Sequence, residues 1–403
     1  MFLRNTLPEF GQPLLPADAA TLSVAAANEV ERYLAFRDNH CATPLVSLPA
    51  MSRQLGVAVI QVKDEGQRLG LGSFKALGGS YAVIRLVLEA ASAELGRTVD
   101  IAEVSAPAVR DVAARMTFAC ATDGNHGRSV AMGAQLVGAA SVIFVHAGVS
   151  DERVAAIARY GARITRVAGS YDESVREAAR VAGQQGWTIV SDTSWPGYER
   201  IPGLVMQGYM ALLREALCEM AQPPTHVFVQ AGVGGIAATV AGHLALVYGD
   251  TRPTFVVVDP ARAACIIESA RAGRPVVVPE GEPTVMAMLE CYEPSLVAWR
   301  ILARTADAFM TVDEDDAVNA MRALAAPVGG DPAIVAGESG GAGFAALCKA
   351  VATPEIAAAL ALGAGSRILL VNTEGATDPT RYTELVGVSP EQVAARNGAV
   401  RAT

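Results

Sequence analysis

The sequence reads as an α/β protein with open, twisted, mostly parallel sheets flanked by helices. Short apolar runs rich in β-branched residues recur along the chain, each followed by a glycine-bearing turn and a helical segment. The clearest is a strand at 141–145, a helix over 151–160 and a second strand at 163–167, which together make a βαβ unit. Composition agrees: 51% of residues are hydrophobic, 18% are charged and 38 are glycine, as strands covered on both faces require. At 403 residues the chain is long for a single core, so one large or two intimately joined domains are expected.

Taken in order, the first forty residues carry a helical pattern from about Asp18, read as an N-cap, to Phe36. Thr43-Pro44-Leu45 breaks it and leads to a short helix over 49–55. A strand over 57–62 precedes Gly70-Leu71-Gly72-Ser73-Phe74-Lys75, and from Lys75 a well-buried helix is expected to about Leu95. The strand beginning at Thr117 ends in Thr122-Asp123-Gly124-Asn125-His126-Gly127, followed by a helix over 129–138. After the βαβ unit, a strand over 187–190 runs into Ser191-Asp192-Thr193. A long helix follows over 201–220, and a strand over 226–230 turns through Gly232-Val233-Gly234-Gly235 into another helix. Strands over 254–258 and 368–371 complete the core, with a helix over 314–326 and the turn Glu338-Ser339-Gly340 between them. The tail beyond Val388 is polar and reads as peripheral.

A net charge of −9 argues against nucleic acid, because phosphate backbones need clustered Lys and Arg. The N-terminus lacks a signal-peptide pattern and no uncharged apolar run is long enough to span a bilayer, so a cytoplasmic protein with no membrane partner is expected. The six cysteines show no metal-type spacing, and no metal site is expected. They read as buried small hydrophobes, with a Cys265–Cys291 disulfide as the minority reading.

Four turns carry the chemistry, at Lys75, Gly232 to Gly235, Asp123 to Gly127 and Asn372 to Gly375, all expected at carboxyl ends of parallel strands, where open α/β sheets bind ligands. Lys75 follows a glycine-rich approach. On residue type alone it is an ordinary solvated helix lysine; in a dry pocket it is a carbonyl nucleophile. Gly232, Val233, Gly234 and Gly235 offer backbone N–H groups to a phosphate at a helix start. A dinucleotide reading competes, because Gly232-x-Gly234-x-x-Ala237 follows a strand and Asp259 ends the next one. That reading leaves Lys75 and Asp123 without a purpose. Asp123 and Asp192 stand in two polar turns; if close, they would share a proton at raised pKa. Asp192 alone is as readily a turn or cap residue.

Ser73-Phe74-Lys75, following Lys63-Asp64-Glu65 and Thr43-Pro44-Leu45, resembles the pyridoxal-phosphate (PLP) enzymes of the tryptophan-synthase β-subunit and threonine-dehydratase group. Within that group the chain is most similar to the diaminopropionate ammonia-lyases, from about Thr43 to about Tyr382. The resemblance implies fold type II, with a large domain over 1–88 and 201–403 and a small domain over 89–200 that closes to exclude water. It implies PLP on Lys75, contacted by Phe74, Asn125, Gly232, Val233, Gly234, Gly235, Glu338 and Thr373, the last facing the ring nitrogen. Ser73, Thr122, Asp123, Gly124 and His126 would line the amino-acid substrate, with His126 chiefly a hydrogen-bonding residue at the helix start. Dehydratases commonly carry a small residue where Asp123 stands; a carboxylate suits a substrate with a second, positively charged amine. Lys75, Asp123 and Asp192 would then be catalytic, in elimination of ammonia from L- and D-2,3-diaminopropionate to give pyruvate and two ammonia. Homodimers are usual in the group. Serine, threonine or hydroxyaspartate dehydratases and PLP β-replacement enzymes share most of these motifs and remain alternatives. Asp259, where relatives often carry glutamate, and the stretch 275–293 depart from the pattern.

Overall fold

The computed structural model describes residues 1–37, 40–122, 124–169 and 171–400. The first strands in chain order are β1 (Phe2–Arg4), β2 (Leu45–Ser47), β3 (Val59–Asp64), β4 (Thr117–Ala121), β5 (Ala140–His146) and β6 (Arg163–Val167). Then come β7 (Thr188–Ile189), β8 (His226–Gln230), β9 (Thr254–Pro260), β10 (Ala308–Val312) and β11 (Arg367–Asn372). The chain divides into two compact units. One comprises Met1–Val24, Ala42–Phe74 and Leu212–Thr403; the other comprises Ala25–Cys41 and Lys75–Ala211. These divisions fall at 74/75 and 211/212 rather than at 88 and 200, since the helix Lys75–Leu95 packs on the helix Asn125–Val137 of the second unit. Small residues allow that approach: a Cβ on Gly133 would stand 2.7 Å from Ser80 Cα.

The first unit holds a seven-stranded sheet in the order β1-β10-β9-β8-β11-β3-β2. Its two edges are antiparallel, β1 on β10 and β2 on β3, and every internal pairing is parallel. Every residue of β8 and β10 is buried, as strands covered on both faces must be. The core includes Ile60, Val62, Phe228, Val256, Val258, Met310, Ile368 and Leu370. The second unit holds a wholly parallel sheet in the order β6-β5-β4-β7, with its own core around Ala119, Val142 and Phe144. The helix Lys75–Leu95 is long and apolar enough to cross a membrane, but 72% of its apolar window is buried inside the protein, as in a core helix.

Several local expectations are revised. The helix expected over 18–36 is two, Pro16–Thr21 and Val24–Ala35. Asp18 is not its N-cap; the carboxylate is buried and accepts from Arg300 Nε at 2.8 Å and from a terminal nitrogen at 2.7 Å. The helix expected from Ser129 begins at Asn125, which places Asn125 and His126 in its first turn. β1 has only three residues, too few for a pattern, and β10, an apolar-rich stretch of five, is a strand that the sequence analysis does not place. The tail is not peripheral, because helix Pro390–Val400 buries Val393 against a cluster containing Met321 and Tyr382.

The loop between β3 and Phe74 is held by a buried ionic network within the first unit. Arg68, with no exposed surface, donates to Glu65 from Nε and a terminal nitrogen at 2.7 Å, and to Glu215 at 2.6 and 2.8 Å. Lys63, equally buried, pairs with Glu215 at 2.7 Å and donates to the Thr43 carbonyl. Two cations and two anions neutralise one another, so the segments carrying Thr43, Lys63 and Glu65 are tied to the start of the lysine loop. Burial would lower the Arg68 pKa, but Glu65 and Glu215 outweigh it and hold the guanidinium charged. Arg68→Met leaves two carboxylates without their main partner and should destabilise the protein by about 3–5 kcal/mol in urea unfolding. A change within about 0.5 kcal/mol would show the network to be dispensable.

Candidate active site

In each sheet the strand order reverses at one place, and the predicted turns lie there. In the second unit the chain runs β4, β5, β6 in one direction, then places β7 on the far side of β4. The turns after β4 and β7, which carry Thr122 to Gly127 and Ser191 to Thr193, therefore leave neighbouring strand ends in divergent directions and open a crevice. Thr122 Oγ1 accepts from Gly124 N at 3.0 Å and Gly127 N at 3.2 Å, which fixes the first turn. Ser191 Oγ accepts from Thr193 N at 3.2 Å, and Tyr198 OH accepts from Ser191 N at 3.0 Å while donating to Ile189 O at 2.8 Å. The local turn bonds are thus made by Ser191 and Tyr198, and the Asp192 carboxylate is left for another partner.

That partner is Lys75. Its Nζ donates to Asp192 Oδ2 at 2.8 Å, with 23% and 18% of the two side chains exposed. Burial pushes the Asp192 pKa up, but the Lys75 charge, then that of His126, and the Lys75 hydrogen bond hold the carboxyl well below the usual range. His126 is buried; its Nε2 faces Val190 O at 2.9 Å, so Nε2 carries a proton, and Nδ1 lies 3.9 Å from Asp192 Oδ2. Asn125 is buried in the same helix turn. Asp123 lies outside the described residues.

In the first unit the reversal lies between β8 and β11, with β9 and β10 beyond β8 on the opposite side. The turn after β8 feeds helix Gly235–Tyr248, which has no side-chain cap. Gly234 sits at φ +97, and a Cβ there would meet Ala298 Cβ at 3.1 Å, so only glycine gives this turn its shape. The first-turn N–H groups of an uncapped helix are the donor set that a phosphate takes. Ser295 N donates to Val233 O at 2.9 Å and stiffens the turn. After β11, Thr373 is 3% exposed, and its carbonyl accepts from Phe74 N at 3.0 Å. Gly375 N donates to Gly72 O at 3.0 Å, and Ser73 bridges Glu374. The residues preceding Lys75 are therefore laced to the Thr373 turn. Glu338 is buried, and the Ser339-Gly340 carbonyls are held by Gln230 Nε2 at 3.0 and 2.7 Å.

An amine for a covalent carbonyl link, an uncapped glycine turn for a phosphate and a buried hydroxyl for a ring nitrogen fit pyridoxal phosphate. The family model for "Pyridoxal-phosphate dependent enzyme" matches residues 37–374. The chain belongs to the pyridoxal-phosphate-dependent enzymes. Its α/β architecture is their fold type II. A diaminopropionate ammonia-lyase of Escherichia coli (strain K12) is 40% identical over 359 residues, covering 87% of this chain and 89% of that one. One of Salmonella typhimurium is 37% identical over 380 residues, covering 91% and 94%. The crystal structure of the Escherichia coli diaminopropionate ammonia lyase in complex with D-serine matches with a TM-score of 0.85 at 35% identity, covering 98% of each chain.

For a PLP-dependent enzyme the dinucleotide reading of Asp259 has no place. The carboxyl is 1% exposed and its Oδ2 accepts from Ile267 N at 2.8 Å, capping helix Cys265–Ala272. The cysteines are all free thiols, Cys265 and Cys291 included, and Cys265 Sγ faces Gly232 O at 3.5 Å. Sequence reasoning assigned no role to Gln230, Arg68 or Glu215. Gln230 had a signal, as the polar end of an otherwise apolar strand. Glu215 had none, since its partners stand about 150 residues away in the chain.

Burial raises the Asp259 pKa to about 8, against backbone hydrogen bonds from Ile267 and Ile266 that lower it. The unfolded chain gives up this proton near pH 4, while the folded one holds it to about 8. The folded state binds more protons between these values, so this group's contribution to stability falls as pH rises. Asp259→Asn should flatten the decline in urea-unfolding free energy from pH 5 to pH 8; an unaltered slope would refute the assignment.

Proposed function

We propose that this enzyme eliminates ammonia from 2,3-diaminopropionate, which with one water yields pyruvate and two ammonia. The observation that carries the reading is the Asp192 carboxylate at 2.8 Å from the Lys75 ammonium, both at the mouth of one parallel sheet. A carboxylate at that place recognises an ammonium, and a diamino acid brings one on its β-carbon. The names of the 40% and 37% identical relatives support the same substrate. An amino acid is the ligand class, as D-serine is for the Escherichia coli protein.

When bound, pyridoxal phosphate supplies the electron sink for the substrate's α-carbon. The chain's residues orient, hold charge and move protons. Lys75 is the covalent anchor and takes the α-proton of one enantiomer. Asp123 takes the α-proton of the other from the opposite face. Asp192 holds the β-nitrogen in its ammonium form, in which it takes the Cβ–N bonding pair and leaves as neutral ammonia. The Gly232 to Gly235 N–H groups, with Phe74, Asn125, Glu338 and Thr373, seat the cofactor. Thr122, Gly124, His126 and Ser73 shape the substrate's place. The reading extends to a homodimer in the cytoplasm, for which light scattering gives the oligomer.

Pyruvate release is the assay, with L- and D-diaminopropionate, serine, threonine and cysteine as substrates. Diaminopropionate should be turned over at least tenfold faster than the hydroxy amino acids; the reverse order would make the enzyme a dehydratase. Lys75→Ala should abolish turnover, and Asp192→Asn should lower kcat about a hundredfold. Asp123→Asn should cost one enantiomer more than the other; equal losses would remove the two-faced arrangement.

A further inference from the structure

We propose that Gln230 is a positioning residue: it fixes the direction of the Thr373 hydrogen bond and so keeps the cofactor's pyridine nitrogen unprotonated. The inference rests on the reading of Thr373 as the ring-nitrogen partner.

Gln230 ends β8 and has no exposed surface. Its Nε2 lies 2.7 Å from the Gly340 carbonyl oxygen, 3.0 Å from that of Ser339 and 3.1 Å from that of Val371. Carbonyl oxygens only accept, so the atom facing all three is the amide nitrogen; the flipped amide would set oxygen against oxygen. The same nitrogen is 3.0 Å from Thr373 Oγ1. An amide nitrogen has no lone pair to offer, so the contact runs one way only, from Gln230 to Thr373. The Thr373 hydroxyl proton is therefore not spent on Gln230, and the positive end of an N–H dipole points at its oxygen. A hydroxyl in that state is a ready donor and a weakened acceptor. Its matching partner is a nitrogen with a free lone pair.

A second observation separates this role from packing. Gln230 Oε1 is buried without a hydrogen-bond partner among the described residues. An apolar side chain would fill the same space without that cost, so the residue gains from its nitrogen what it loses at its oxygen.

The test uses the holoenzyme reconstituted with pyridoxal phosphate labelled with nitrogen-15 in the ring, read by NMR between pH 6 and pH 9. The wild type should show the unprotonated chemical shift throughout. Gln230→Met keeps the length and loses the donor, which frees the Thr373 hydroxyl to turn to the carbonyls that Gln230 served. Its ring-nitrogen signal should move toward the protonated value, and its cofactor dissociation constant should rise roughly three- to tenfold. In Gln230→Met/Thr373→Val the added protonation should vanish, since the effect passes through the hydroxyl. A Gln230→Met signal identical to wild type overturns the proposal. If that variant fails to fold, the wild-type spectrum still decides: a protonated nitrogen sinks it and an unprotonated one supports it. A wild type that takes up no labelled cofactor defeats the functional reading itself, which is a distinct result.

Discussion

Parallel strands end on one side of their sheet, and that single constraint organises this protein. A chain that adds strands outward in one direction and then returns to the other side must leave two neighbouring strand ends whose following turns part. It happens between β4 and β7 in one sheet and between β8 and β11 in the other. Those four strand ends carry Thr122 and Asn125, Asp192, the Gly232 to Gly235 turn, and Thr373. Within each sheet the polar turns are thereby gathered where backbone N–H groups and side chains can face a ligand rather than each other.

Charge is handled differently in different places. Around Arg68 the ions are paired and, apart from the partly exposed Glu215, buried, and their work is mechanical: they hold the segment leading to Phe74. At Lys75 the ammonium meets the partly exposed Asp192 carboxylate, with an imidazole nearby. A partly solvated pair of this kind can be opened by a competing ammonium or carboxylate, whereas the Arg68 network has no cheap alternative. Asp259 is a third case, a carboxyl so enclosed that burial raises its pKa to about 8, while its Oδ2 accepts from Ile267 N in the first turn of a helix.

Much of the site was legible because its residue types are unusual in their settings. A lysine opening an apolar helix, a glycine run after a buried strand, and aspartates in turns all stand out against an apolar background. The helix after β4 was placed four residues late because Asn125-His126-Gly127 reads as a turn. The Thr122 hydroxyl, accepting from Gly124 and Gly127, holds that turn, and the helix starts at Asn125. The ion pair of Asp192 with Lys75 had no signal in the sequence, because the two stand 117 residues apart; Asp123, the expected partner of Asp192, lies outside the described residues.

The α/β class and most of the strands follow from the amino-acid sequence alone, and so do the lysine and glycine turn proposed as anchor and phosphate site. Hydrophobic period and glycine placement are local properties that depend on neighbours within a few residues. Which charges meet, which way Gln230 points its amide and which thiols stay free were decided by tertiary structure alone. Each joins groups separated by about a hundred residues or more, or depends on the dielectric that burial creates, and neither is written in a local pattern.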